Sequence, residues 1–232
     1  RVAPTDVGSV ALVASDLDGT PLAPPGTVPH DGDPVLRMGG LTARTAEVLD
    51  AMRGRGTDLI AVTGRPPRWV RGLGLGSGLA VCSNGALVLD LDTDEVVVER
   101  TLAAEAALEV VSRLRELHPD GMMAVEFADG VGIEQAWHER VPAPASRGWV
   151  VEVAPAEELC ARPVAKVLVK VPGTSGDAYI DAAAEVVGDL GVVTASGGME
   201  LIEVSAPDVD KATTLALLCD ERGIGPDHVV AF

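Results

Sequence analysis

Asp16-Leu17-Asp18-Gly19-Thr20 sets two carboxylates two residues apart, followed at once by a glycine and a hydroxyl. Like charges this close repel, which favours a bound cation or a shared proton. Asp-Gly is also a common turn and aspartate a common helix cap, so the pair alone suits a turn as well as a reactive centre. Other residues tip the balance. Val62-Thr63-Gly64-Arg65-Pro66 offers a hydroxyl and a glycine N–H where a strand gives way to a helix, a corner suited to phosphate. Thr63 alone would also serve as an N-cap. Cys82-Ser83-Asn84-Gly85 ends a third strand. Lys211 opens a helix, where the dipole disfavours a cation, so it asks for an anionic partner unless it is simply solvated.

These groups need elements that bring them to one edge. Residues 10–14, 58–62 and 79–82 are short, continuous apolar runs, as expected of strands buried on both faces. Between the first two, residues 21–40 read as an irregular loop rich in proline and glycine, and Thr42 caps a helix over 43–55. Pro66-Pro67 starts a short helix. This alternation predicts a parallel sheet with crossover helices, and in such a sheet ligands bind beyond the carboxyl ends of the strands. After residue 85 the rhythm changes. Hairpin signals at Asp92-Thr93-Asp94 and Asp129-Gly130 mix with helices over 103–117 and 178–190. Strands are expected over 149–153, 164–171, 192–195 and 199–204. A helix over 210–222 and an apolar run at 229–232 then resume the first pattern. The expected architecture is a Rossmann-like α/β core with helices on both faces, residues 1–85 and 205–232, interrupted by an inserted α+β segment, 86–204.

Composition narrows the function. The 232 residues carry 18 Lys and Arg against 35 Asp and Glu, a net charge of −17. That argues against nucleic acid, which needs a basic face, though not against an anionic substrate beside a few local cations. Three distant cysteines without a Cys-x-x-Cys predict a reduced, cytoplasmic chain. No membrane span or signal peptide is expected. The glycine-rich stretch 72–78 lacks Gly-x-Gly-x-x-Gly spacing and is expected to be a loop. The stretch 172–176 lacks the Lys-Ser/Thr of a P-loop. His30, His118, His138 and His228 show no ligand spacing, and Trp137 and Trp149 are expected to pack rather than bind.

Taken in order, Asp16-x-Asp18-Gly19-Thr20, Thr63-Gly64, the Ser83-Asn84-Gly85 turn and Lys211 resemble the haloacid dehalogenase superfamily, in its Cof-like branch with an α+β cap inserted after the third strand. The resemblance covers essentially the whole chain. It implies a phosphatase using Mg²⁺ on a small phosphorylated metabolite, for instance a sugar phosphate. Asp16 would be the nucleophile that forms an aspartyl-phosphate. Asp18 would protonate the leaving oxygen and then activate water. Leu17, Thr63, Gly64 and Lys211 would bind phosphate, and Arg65 and Asn84 would touch substrate. The metal would sit on the Asp16 carboxylate and the Asp18 main-chain carbonyl, and a cap that closes would exclude water. A fourth, acidic motif should follow the strand near residue 228. The chain ends at Phe232 without it, so the core is expected to be cut short, with little or no hydrolysis as written. Pro21 stands where the family commonly has an apolar residue such as leucine. A phosphomutase of the same fold and a non-catalytic phospho-ligand binder are the other two readings. The oligomeric state, monomer or weak dimer, is not legible.

Overall fold

The computed structural model describes residues 10–29, 31, 33–140, 150–174, 176–196 and 201–232. His30, Trp149 and the strand starts expected at residues 149 and 199 lie outside them. In chain order the strands and α-helices are β1 (Leu12–Ser15), β2 (Leu22–Ala23), α1 (Pro34–Arg37), β3 (Gly40–Leu41), α2 (Ala43–Arg53), β4 (Asp58–Val62), α3 (Pro67–Val70), β5 (Leu79–Cys82), β6 (Leu87–Asp90) and β7 (Val96–Glu99). Then follow α4 (Ala104–Leu117), β8 (Met122–Glu126), β9 (Gly130–Ile133), α5 (Gln135–Arg140), β10 (Val150–Val153), α6 (Ala156–Leu159), β11 (Lys166–Lys170), α7 (Asp177–Val187), β12 (Val192–Ala195), β13 (Leu201–Ser205), α8 (Lys211–Glu221) and β14 (Val229–Ala231). Among the described residues no helix is long and apolar enough to cross a membrane.

Two compact units divide the chain. The first is Arg1–Val97 with Lys211–Phe232. Its sheet runs β14-β1-β4-β5-β6-β7, with β14, β1, β4 and β5 mutually parallel and β6 antiparallel to β5. Leu12, Ile60, Ala80 and Val81 are fully buried or nearly so, as the unbroken apolar runs require of strands covered on both faces. Each large aliphatic side chain so buried stabilises the sheet by about 1.5–3 kcal/mol. Thr42 caps α2 by accepting the Thr45 N–H at 3.1 Å.

Two sequence expectations change here. The hairpin β6–β7 extends the first sheet, so the second unit begins at Val98 and ends at Asp210 rather than spanning 86–204. Hairpin signals identify a turn but not the sheet edge that its strands join. The segment 21–40 is also not wholly irregular. It holds the pair β2–β3 and the one-turn helix α1, capped by the Asp33 carboxylate, which accepts the Val35 N–H at 2.8 Å.

The second unit, Val98–Asp210, has the sheet order β10-β9-β8-β11-β13-β12, with β8, β11, β13 and β12 antiparallel in turn. Helix α4 buries Ala107, Val110, Val111 and Leu114, an i, i+3, i+4, i+7 stripe. Trp137 packs against Ala124, Ile133 and Leu168, as expected of a packing residue. Lys166 is buried on β11 with Glu126 at 3.5 Å and Glu203 at 3.2 Å, an ion network that no sequence signal announced.

Candidate active site

Parallel register brings the singled-out residues to one edge of the first sheet. Ser15 pairs with Ala61 and Val62 with Val81, so Asp16, Thr63 and Ser83 leave three adjacent strands on the same side. The chain moves outward from β1 through β4 to β5 and returns to β14 on the opposite flank of β1. Strand β1 is therefore the switch point, where open α/β sheets hold their ligands. The Asp16 N–H donates to the Phe232 carbonyl at 3.0 Å, and the Phe232 N–H to that of Ala14 at 3.0 Å, fixing the end of β1.

Leu17 is fully buried between the two exposed-edge aspartates and anchors the turn. Its carbonyl accepts the N–H groups of Thr20 at 3.4 Å and Leu22 at 3.0 Å. With its side chain in the core, Leu17 offers a ligand main chain alone. Gly19 sits at φ +76°, where a side chain is disfavoured, which explains the glycine after Asp18.

Each carboxylate has its own cation. Lys211 Nζ lies 2.6 Å from Asp16 Oδ1, across 195 residues of sequence. This is the anionic partner that a lysine in the first turn of α8 demands. Arg65 grips Asp18 as a fork, Nε to Oδ2 at 3.0 Å and Nη2 to Oδ1 at 2.5 Å. Arg65 is only 5% exposed, and its guanidinium is held between Asp18 and the Met38 carbonyl. Each aspartate thus meets a cation rather than the other carboxylate.

Thr63 is buried, its N–H donating to the Val81 carbonyl at 2.8 Å and its Oγ1 accepting the Arg65 N–H at 3.1 Å. The hydroxyl therefore closes a local turn rather than capping α3, whose N-cap is Pro66. A Cβ on Gly64 would come within 2.8 Å of Asn84 Oδ1, so the Asn84 amide occupies the space that glycine leaves. Asn84 adopts φ 58°, ψ 27°, a left-handed conformation that asparagine tolerates. Its N–H donates to the Thr63 carbonyl at 3.1 Å, and the Ser83 N–H to that of Arg65 at 2.9 Å, locking the two loops together.

Two contributors were not singled out by sequence. Thr214, three residues beyond Lys211 and so on the same helix face, donates its hydroxyl to the Gly85 carbonyl at 2.8 Å and fastens α8 to the Asn84 turn. The Met38 carbonyl accepts Arg65 Nη2 at 2.8 Å. The first was recoverable from helical spacing; the second carried no sequence signal.

Among the described residues no group of three or more His, Cys, Asp or Glu side chains is clustered to hold a metal unaided. Mg²⁺ does not require one, being held commonly by one or two carboxylates with substrate phosphate oxygens and water. Asp16 fits that pattern: among the described residues its carboxylate meets Lys211 alone, through Oδ1.

A family model described as haloacid dehalogenase-like hydrolase matches residues 13–232. Among curated proteins none matches. Solved structures share the fold at low identity. SMU.1108c from Streptococcus mutans UA159 superposes with a TM-score of 0.76 at 20% identity, over 97% of this chain and 80% of that one. BT1666 from Bacteroides thetaiotaomicron, a phosphatase of the haloalkanoate superfamily, gives 0.74 at 16%, over 100% and 79%. BT4131, a subclass IIB sugar phosphatase, gives 0.70 at 14%, over 95% and 79%.

Proposed function

The chain belongs to the haloacid dehalogenase-like hydrolase family, and on that premise we propose that it is a Mg²⁺-dependent phosphatase acting on a small phosphorylated metabolite through an aspartyl-phosphate at Asp16. The observation that carries this reading is the placement of two carboxylates, each paired with its own cation, at the switch point of the sheet. Asp16 attacks phosphorus, and the leaving oxygen departs with the bonding pair and takes a proton from Asp18. Asp18, now ionised, removes a proton from water, whose oxygen attacks the same phosphorus. Inorganic phosphate leaves and Asp16 is restored. Splitting the reaction in this way replaces one very slow hydrolysis by two easier steps.

Lys211 offsets negative charge where an anionic carboxylate must approach an anionic phosphate, a need sharpened by the net charge of −17. Thr63 Oγ1, the Gly64 N–H and the Leu17 main chain complete the proposed phosphate cradle. Mg²⁺ would be held by the Asp16 carboxylate and the Asp18 carbonyl, and it supplies charge neutralisation and orientation of the phosphoryl oxygens. A sugar phosphate is the proposed substrate class, supported by the fold shared with a sugar phosphatase. Three free, buried cysteines support a reducing, cytoplasmic setting.

The test is phosphate release from an aryl phosphate by the full-length protein. The expected result is Mg²⁺-dependent turnover by the wild type and none by Asp16→Asn. Equal rates in the two would remove Asp16 from the nucleophile's role.

A further inference from the structure

Arg65 is an unusual group to find almost wholly inside the protein. Two of its nitrogens are spoken for, Nε by Asp18 and Nη2 by both Asp18 and the Met38 carbonyl, while Nη1 is buried with no hydrogen-bond partner among the described residues. A guanidinium free to satisfy its own donors would turn Nη1 towards an acceptor. Its orientation is therefore set by what it holds. On one side that is the carboxylate of Asp18, whose side chain is 54% exposed and depends on the fork for a fixed direction. On the other it is a carbonyl from the segment between β2 and β3.

That segment is built to hold its carbonyl still. Its ends are joined by the pairs Leu22↔Leu41 and Ala23↔Gly40. Helix α1 is capped by Asp33 and anchored by Val35, which is 1% exposed. The Met38 and Gly39 N–H groups donate to the Val35 and Leu36 carbonyls, each at 3.1 Å. Gly39 follows at φ +115°, and a Cβ there would come within 2.6 Å of the Ala23 carbonyl oxygen. Only glycine fits, and the peptide so fixed is the one whose carbonyl meets Arg65.

We propose that Arg65 is a positioning residue for Asp18, braced from behind by the Met38 carbonyl, so that the strap formed by β2, α1 and β3 governs the proton-transfer steps of the reaction. This rests on the reading of Asp18 as acid and base given above. It assigns Arg65 to Asp18 in place of the substrate contact expected from sequence.

The experiment separates the two half-reactions by rapid quench, using an aryl phosphate whose phenolate leaves without protonation and an alkyl phosphate whose alkoxide does not. Asp18→Asn serves as the reference. Arg65→Lys keeps the charge and loses the fork; Gly39→Ala keeps the Arg65 and Asp18 side chains and strains the brace, its Cβ meeting the Ala23 carbonyl oxygen. With the aryl phosphate, Arg65→Lys is expected to phosphorylate Asp16 within about threefold of the wild-type rate but to release phosphate roughly 10²-fold more slowly, the lower end of a general acid–base contribution. Phosphoenzyme then accumulates. With the alkyl phosphate both steps slow. Gly39→Ala shows the same split at roughly tenfold, a partial loss of the same contribution.

A rise in KM at unchanged kcat in Arg65→Lys would overturn the proposal in favour of a substrate contact. An equal fall of both steps on both substrates would reduce Arg65 to a structural role, and a Gly39→Ala variant with wild-type kinetics would remove the strap. If Asp18→Asn itself shows no split between substrates, the acid–base reading fails first, and the result is distinguishable from failure of the brace.

Discussion

Replacing Lys211 by methionine separates catalysis from folding. The Lys211–Asp16 pair is close, at 2.6 Å, but its side chains are 42% and 37% exposed. In water two unit charges at that distance attract by about 1.6 kcal/mol. Solvent screening and side-chain entropy reduce exposed pairs to about 0–1 kcal/mol of net stability. Removing a cation from the first turn of α8 returns about 0.3–1 kcal/mol of helix-dipole repulsion. Methionine is about as good a helix former as lysine. The terms oppose, so Lys211→Met should change unfolding free energy by less than about 1 kcal/mol. The transition state is different. A preorganised cation facing developing phosphoryl charge is worth about 10²–10³ in kcat. The assay is turnover of an aryl phosphate by the full-length protein at saturating Mg²⁺, alongside urea unfolding. A fall in kcat of less than about tenfold, against the 10²–10³ expected of such a group, would show that Lys211 does not face the developing phosphoryl charge. A loss of activity accompanied by more than about 2 kcal/mol of destabilisation would refute the separation of catalysis from folding, since an exposed pair cannot supply it.

Thr214→Val leaves the buried Gly85 carbonyl without that hydroxyl and should cost about 1–3 kcal/mol in urea unfolding, with Lys211 still in place. Gly64→Ala sets a methyl within 2.8 Å of Asn84 Oδ1 and should raise KM about tenfold as the phosphate corner shifts, the cost of roughly one hydrogen bond. Burial, reinforced by Glu157, pushes the Cys160 thiol up from 9.0 to about 11, so it should resist alkylation in the native state and react on unfolding. The unfolded chain ionises first, so that thiol's share of stability is present below pH 9.0 and lost as pH climbs towards about 11; Cys160→Ala should flatten that part of the stability profile.

The core of the site was legible because its residues obey rules of position. Asp16 and Thr63 stand at the ends of apolar runs, and parallel strands place such ends together. Lys211 was legible through its conflict with the helix dipole, which Asp16 resolves. The fork of Arg65 on Asp18 was not, because a side chain reaching back 47 residues leaves no periodicity. Helix α1 was hidden by the prolines and glycines around it, although Asp33-Pro34 is an N-cap followed by proline at the first helical position. The hairpin β6–β7 was recognised as a hairpin but assigned to the wrong unit, since its turn chemistry is the same in either sheet. Lys166, Glu126 and Glu203 read individually as ordinary polar strand residues; only the strand register of Lys166 with Glu126 brings them into one buried network.

Asp16 is the residue proposed to carry the phosphoryl group. The most direct test of that role is to quench the full-length protein during turnover of a phosphate monoester, reduce any acyl phosphate with borohydride, and read the sequence by mass spectrometry. Homoserine is expected at position 16 in the wild type and is absent from Asp16→Asn. Turnover with aspartate intact at position 16, or homoserine at position 18 instead, would contradict that role.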